Sequence, residues 1–145
     1  MPTAFVTGVT GQDGTYLVAD LLDAGYDVHG LVKPGDSDRA LPPALVVHEG
    51  DLRDAGRLAE LVEGIAPDEV YNLAGQTSVA ASWEDPVTTA LTTGATVAAI
   101  ADACWRLHEA GHPVRLLQAS SAEIFGNSSE MPQNEGTRVA PTSPY

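Results

Sequence analysis

The sequence predicts an α/β fold with a doubly wound parallel sheet and helices on both of its faces. Three observations carry this expectation. Short apolar runs alternate with stretches of helical periodicity along the whole chain. The first run, Ala4-Phe5-Val6, leads directly into Thr7-Gly8-Val9-Thr10-Gly11-Gln12-Asp13-Gly14. An amphipathic helix begins immediately after, so the glycines stand where a strand turns into a helix.

That context makes the glycine turn the signature of a Rossmann fold and of a dinucleotide site. Gly8 permits the tight turn out of the strand, and Gly11 lets the backbone approach a pyrophosphate at the helix N-terminus. There, free N–H groups and the helix dipole favour negative charge. Gly14 removes the side chain that would hold helix and strand apart. The helix carries Leu17, Val18, Leu21 and Leu22 on one face, and Gly25 ends it. Tyr26 to Val32 reads as a second strand, with Val28, Gly30 and Val32 alternating. Lys33 to Pro43 is the main irregular linker. Asp54 caps a helix with Leu58, Leu61, Val62 and Ile65 on one face, and Pro67 stops it. Val70 to Leu73 is a strand, Val87 to Leu107 a long alanine-rich helix, and Val114 to Gln118 the next strand. Parallel strands joined in this way take right-handed crossovers.

With 145 residues, the chain is long enough for one core but not for two full domains. Twenty acidic against 7 basic residues give a net charge of −13. That argues against a nucleic-acid partner, which needs clustered Lys or Arg for its phosphates. The acidity reads as a solubility feature. No apolar run reads as a membrane span and no basic segment heads an apolar stretch, so neither a membrane nor a leader is expected. Cys104 is the single cysteine, which excludes an internal disulfide and fits a cytoplasmic location. It reads as a small packed residue of the long helix. The four histidines show no metal-ligand spacing, and no metal is expected.

The chemistry concentrates in the last third. Ala119-Ser120-Ser121-Ala122-Glu123 follows a strand, at the edge where an open parallel sheet presents its ligands. A hydroxyl and a carboxylate two residues apart can serve proton transfer beside a bound nicotinamide. Equally, the serines can simply cap a turn. From the residues alone both readings stand.

The segment Ser143-Pro144-Tyr145 adds a resemblance. Together with residues 7–14, it joins Gly50-Asp51-Leu52, the run Pro67 to Gln76 and Gln118-Ala119-Ser120-Ser121-Ala122-Glu123-Ile124-Phe125-Gly126. In this order the chain resembles the N-terminal part of an extended short-chain dehydrogenase/reductase, the NAD-dependent epimerase/dehydratase family. Gln12-Asp13 points within it to the GDP-mannose 4,6-dehydratase branch. The resemblance implies that Gly8, Thr10, Gly11, Gln12, Asp13 and Gly14 wrap a pyrophosphate. It implies that Asp51 and Leu52 meet the adenine, and that Leu73, Ala74, Gly75 and Gln76 run beside the cofactor. Ser121 takes the position that hydrogen-bonds the sugar 4-hydroxyl, Glu123 that of the carboxylate moving the C5 proton, and Tyr145 that of the tyrosine of a Tyr-x-x-x-Lys pair. The implied reaction oxidises C4 of a nucleotide sugar, most simply GDP-mannose, eliminates water across C5 and C6, and returns the hydride to C6.

A phenol with the ordinary pKa of about 10 is a poor base at neutral pH, and the family meets this with the lysine of the pair. The chain ends at Tyr145. It therefore reads as an incomplete Rossmann domain spanning residues 1–145, truncated before the last strands and the sugar-nucleotide-binding part. By itself it is not expected to turn over substrate, and the full-length protein is expected to be a homo-oligomer. The family's basic loop is replaced by Lys33-Pro34-Gly35-Asp36-Ser37-Asp38-Arg39. Lys33 can meet the 2′-phosphate of NADP, whereas Asp36 can bond a ribose hydroxyl of NAD. NADP is the expected cofactor, with NAD possible. Ala122 and Ser78 depart from the family's frequent serine and histidine, which leaves the sugar open. An epimerase, decarboxylase or reductase of the same superfamily, or a non-catalytic nucleotide-binding remnant, stays an alternative.

Overall fold

Strand β1 (Thr3–Thr7) is apolar on both faces, and Ala4, Phe5 and Val6 are wholly buried, which places it at the centre of the sheet. In the computed structural model, which describes residues 1–36 and 40–145, β1 is flanked by β2 (Asp27–Val32) and β4 (Glu69–Asn72). β3 (Val46–Glu49) and β5 (Arg115–Gln118) form the edges, giving the order β3-β2-β1-β4-β5 with every pair parallel.

Alternate residues of the strands serve opposite layers. Ala4, Val6, Val28 and Val32 pack with Val18 and Leu21 of α1 (Gln12–Asp23). Phe5, Leu31 and Val70 pack on the other face with Leu58, Leu61 and Val62 of α2 (Ala55–Ile65), and with Ile100, Ala103 and Cys104 of α5 (Thr96–Glu109). The doubly wound expectation is met. Cys104 is buried, and burial pushes its thiol pKa up, as expected for a packed residue rather than a nucleophile.

Helix limits follow local chemistry. The Asp54 carboxylate accepts the Arg57 N–H at 2.9 Å and starts α2. Ala66 closes it in a left-handed conformation before Pro67. Gly25, at φ 81°, lets the chain leave α1. At the opposite end of the sheet from the glycine turn, buried Glu69 accepts from Tyr71 at 2.5 Å and Tyr26 at 3.3 Å and pairs with Arg115. The Tyr71 hydroxyl is thereby pushed up to about 12. These bonds fasten β4 to its neighbours.

Two parts differ from the sequence expectation. β3, between the linker and Gly50, is not among the strands that the sequence predicts. Its residues are mostly exposed, so it lacks the buried alternation by which a strand is read. The expected helix from Val87 to Leu107 is longer and not uniform. A short α3 (Val79–Glu84) precedes α4 (Pro86–Thr89), then a π-helical segment, Ala90–Ala95, leads into α5. Pro86 stands at the first position of α4, where its missing N–H costs nothing. Threonine hydroxyls bond back to carbonyls through this stretch: Thr92 to Thr88 at 2.8 Å and Thr93 to Thr89 at 2.6 Å. Such back-bonding competes with the regular ladder.

Against the expectation that no apolar run reads as a membrane span, the continuous helix Pro86–Glu109 has a mean hydropathy of 1.3 and is long and apolar enough to cross a membrane. About a quarter of its apolar window, 28%, is buried, and Thr96, Ile100, Ala103 and Cys104 of α5 lie in the core.

Candidate active site

The glycine turn is built as its spacing requires. Gly8 has φ 78°, and a Cβ there would meet the Ala74 nitrogen at 3.0 Å. The Gly11 N–H closes the turn on the Gly8 carbonyl at 2.9 Å. A methyl group on Gly14 would be driven into that same carbonyl, so no side chain is possible where α1 crosses β1. Gly11 caps α1 without any side-chain hydrogen bond. The first N–H groups of the helix thus face outward between exposed Gly11, Gln12 and Asp13, with Thr10 half-buried beside them. A group with negatively charged oxygens fits this cradle.

At the neighbouring strand ends stand Lys33, exposed after β2, and the turn after β3. The Asp51 carboxylate accepts from the Arg53 backbone N–H at 2.8 Å and from its guanidinium at 3.0 and 2.5 Å. These bonds hold Asp51 well below the usual carboxylate range, at about 2, with a smaller contribution from the charge of Lys33. Leu52 is buried, and its carbonyl accepts the Thr96 hydroxyl at 2.7 Å. Asp36 is half-buried, while residues 37–39 of the same loop lie outside the described part.

A cavity of about 420 Å³ opens at the carboxyl ends of β4 and β5. Leu73, Ala74, Gly75, Gln76 and Thr77 form one wall, and Thr93, Gly94 and Val97 another. Gln118, Ala119, Ser120, Ser121, Ile124 and Tyr145 complete it. The π-helical segment thus supplies part of the wall, and a Cβ on Gly75 would meet the Thr93 methyl at 3.2 Å. π-segments recur at functional sites.

Ser121 and Tyr145 line the same cavity. Glu123 lies exposed on a 3₁₀ turn, Ala122–Phe125, and its side chain is not part of the lining. The Ser121 hydroxyl oxygen accepts the Glu123 N–H at 3.1 Å, so the capping role weighed from the sequence is present. Its proton stays available to a ligand. Ser120 holds φ 55°, a left-handed conformation that a non-glycine residue adopts at some cost.

Gly126 has a role that no local pattern in the sequence announces. At φ 56° it leaves no room for a Cβ beside the Ala140 carbonyl, and the Ala140 N–H donates to the Ile124 carbonyl at 2.9 Å. This contact returns the chain to the cleft and brings Tyr145 to it. Among the described residues, no cluster of histidine, cysteine and carboxylate side chains could hold a metal.

A strand–glycine turn–helix with a cleft at the carboxyl edge of a parallel sheet defines a Rossmann domain. Comparison with known proteins agrees and goes further. The family profile for GDP-mannose 4,6 dehydratase matches residues 5–145, and the chain belongs to that family. A GDP-mannose 4,6-dehydratase of Yersinia enterocolitica is 39% identical over 157 residues, which cover 100% of this chain and 42% of the relative. GDP-mannose 4,6 dehydratase 1 of Arabidopsis thaliana is 41% identical, covering 98% and 43%. The chain therefore spans less than half the length of these relatives. Among solved structures, the UDP-glucose 4-epimerase of Thermus thermophilus in complex with NAD superposes with a TM-score of 0.82 at 29% identity, covering 99% of this chain and 46% of that one. The UDP-glucose-4-epimerase of Stenotrophomonas maltophila, with bound NAD and formylated UDP-arabinopyranose, gives 0.81 at 27%, covering 100% and 44%.

Proposed function

We propose that the full-length protein is a lyase, a sugar-nucleotide 4,6-dehydratase that holds NADP and converts GDP-mannose to its 4-keto-6-deoxy product. The observation that carries this reading is the meeting of Ser121 and Tyr145 in one cleft, with Glu123 on the adjoining turn, beside a glycine turn that leaves no room for a side chain at Gly14. The cradle fits a dinucleotide: Gly8, Thr10, Gly11, Gln12, Asp13 and Gly14 hold the pyrophosphate, and Asp51 and Leu52 the adenine. Leu73, Ala74, Gly75 and Gln76 flank the nicotinamide end, and Lys33 meets the 2′-phosphate. When bound, the cofactor supplies a reversible two-electron acceptor next to the sugar.

The residues of this chain supply the rest. Ser121 donates to the sugar 4-oxygen with the proton that its cap leaves free. Tyr145 takes the 4-hydroxyl proton. A ketone at C4 acidifies C5, and Glu123 removes that proton and serves the departure of the 6-hydroxyl as water. For Glu123 to act, its exposed side chain turns into the cleft when substrate binds. The reading extends to a cytoplasmic enzyme that self-associates, for which exposed Trp83, Val87 and Trp105 supply apolar surface.

The test uses GDP-mannose deuterated at C4. Label recovered at C6 supports the dehydratase, because the same hydrogen returns to the substrate. Label found again at C4 places the protein with the epimerases. In the full-length enzyme, Glu123→Gln is expected to lower turnover roughly 10²–10⁴-fold with dinucleotide affinity unchanged.

A further inference from the structure

At the carboxyl edge of the sheet, the register places Thr7 of β1 beside Asn72 of β4, and Asn72 beside Gln118 of β5. Their side chains form a hydrogen-bonded row. The Thr7 hydroxyl donates to Asn72 Oδ1 at 2.7 Å, and Asn72 Nδ2 donates to Gln118 Oε1 at 2.6 Å. The row has a direction, imposed at its first member. Thr7 Oγ1 accepts the backbone N–H groups of Leu73 at 3.1 Å and Ala74 at 3.0 Å. A hydroxyl whose acceptor capacity is taken by two N–H groups must point its single proton elsewhere. It points at Asn72, which is 1% exposed and must therefore turn its oxygen to Thr7 and its NH₂ to Gln118. Gln118 in turn must offer its own oxygen, and its NH₂ is left over. Gln118 is exposed and lines the cavity, and among the described residues the hydrogen bond of its side chain is the one it accepts from Asn72.

We propose that Gln118 is a ligand-binding residue that presents its carboxamide N–H to an acceptor oxygen in the cleft, and that Asn72 is the positioning residue that fixes this orientation. The acceptor is a carbonyl or hydroxyl oxygen of the molecules that fill the site, either the cofactor carboxamide or the sugar. This inference rests on the proposed function.

The orientation makes an unusual demand on two variants of the full-length protein. Gln118→Glu still accepts from Asn72 but carries no donor, so it is expected to weaken binding about 3- to 10-fold, the worth of one hydrogen bond. Asn72→Asp can no longer donate, and draws Gln118 round to donate to it, which turns the glutamine oxygen toward the cleft. It should reproduce the Gln118→Glu loss although Gln118 is untouched. Gln118→Met, with neither charge nor donor, should match Gln118→Glu. Dinucleotide Kd and the KM for nucleotide sugar are measured for each. A loss in Kd assigns the acceptor to the cofactor, and a loss in KM alone assigns it to the sugar. Gln118 variants that bind and turn over as wild type does overturn the proposal, as does an Asn72→Asp protein that folds and behaves normally. Wild-type protein that binds no dinucleotide overturns the proposed function itself, and this inference with it.

Discussion

The Thr96 hydroxyl donates to the Leu52 carbonyl at 2.7 Å, joining the first turn of α5 to the loop that follows β3. The same oxygen lies 3.0 Å from the Leu91 carbonyl, so one threonine touches both the π-helical segment and the turn carrying Asp51. Both residues of the 2.7 Å contact are buried.

Thr96→Val keeps the volume and removes the donor. The Leu52 carbonyl then lacks its partner, and the expected destabilisation is about 1–3 kcal/mol. Because Asp51 precedes that carbonyl, dinucleotide affinity should fall as well. Denaturant unfolding and dinucleotide titration of the same variant check the pair. A variant as stable as wild type would show that water takes the hydroxyl's place.

Gly14→Ala introduces a methyl group into the Gly8 carbonyl. The turn must open, so the variant should lose dinucleotide binding, with stability lower by more than the few tenths of a kcal/mol typical of surface changes. On an unobstructed helix the same change would stabilise. The sign of the stability change is therefore the measurement that decides.

Acid should weaken the far edge of the sheet. His29 of β2 and His48 of β3 stack with ring centroids 5.1 Å apart, and His29 Nδ1 lies 2.9 Å from His48 Nε2. Asp27 lies 3.6 Å from His29 Nε2. Burial chiefly, then the charges of His29 and Arg57, lower the His48 pKa from its ordinary 6.5. The unfolded chain thus binds a proton at a pH where folded His48 does not. This contribution to stability is present in full above about pH 6.5 and is lost as pH falls through the lower folded value. Thermal unfolding between pH 8 and pH 5 should show stability falling, and His48→Gln should flatten that slope. An unchanged slope would place the acid sensitivity elsewhere.

Lys33 follows β2, and its charge reaches Asp51, so it stands at the ribose end of the proposed dinucleotide site. Lys33→Ala should weaken NADP more than NAD, because only NADP carries the 2′-phosphate. The difference should shrink at high salt, as contacts between exposed charges are screened. Equal losses for the two dinucleotides would show that Lys33 makes no such contact.

Local chemistry was enough for much of this protein. A strand followed by three spaced glycines and an amphipathic helix has few other solutions, and Gly8 and Gly14 occupy positions where a side chain is forbidden. The Asp54 cap, the Gly25 exit from α1 and the apolar runs of β1, β2 and β4 were legible because each depends on neighbours in sequence. The motif from Gln118 to Gly126 was legible as a site, though not the way Gly126 and Ala140 bring Tyr145 to it. Tertiary structure alone decided β3, whose exposed Val46 and Val47 carry no buried period and pair only because β2 offers an edge. It alone decided the π-helical segment, where threonine hydroxyls reach carbonyls of their own helix and of Leu52. It alone aligned Thr7, Asn72 and Gln118, which lie 65 and 46 residues apart in sequence. Register between distant strands is set by how the two helical layers pack on the sheet, and no local pattern encodes which side chains that register will bring together.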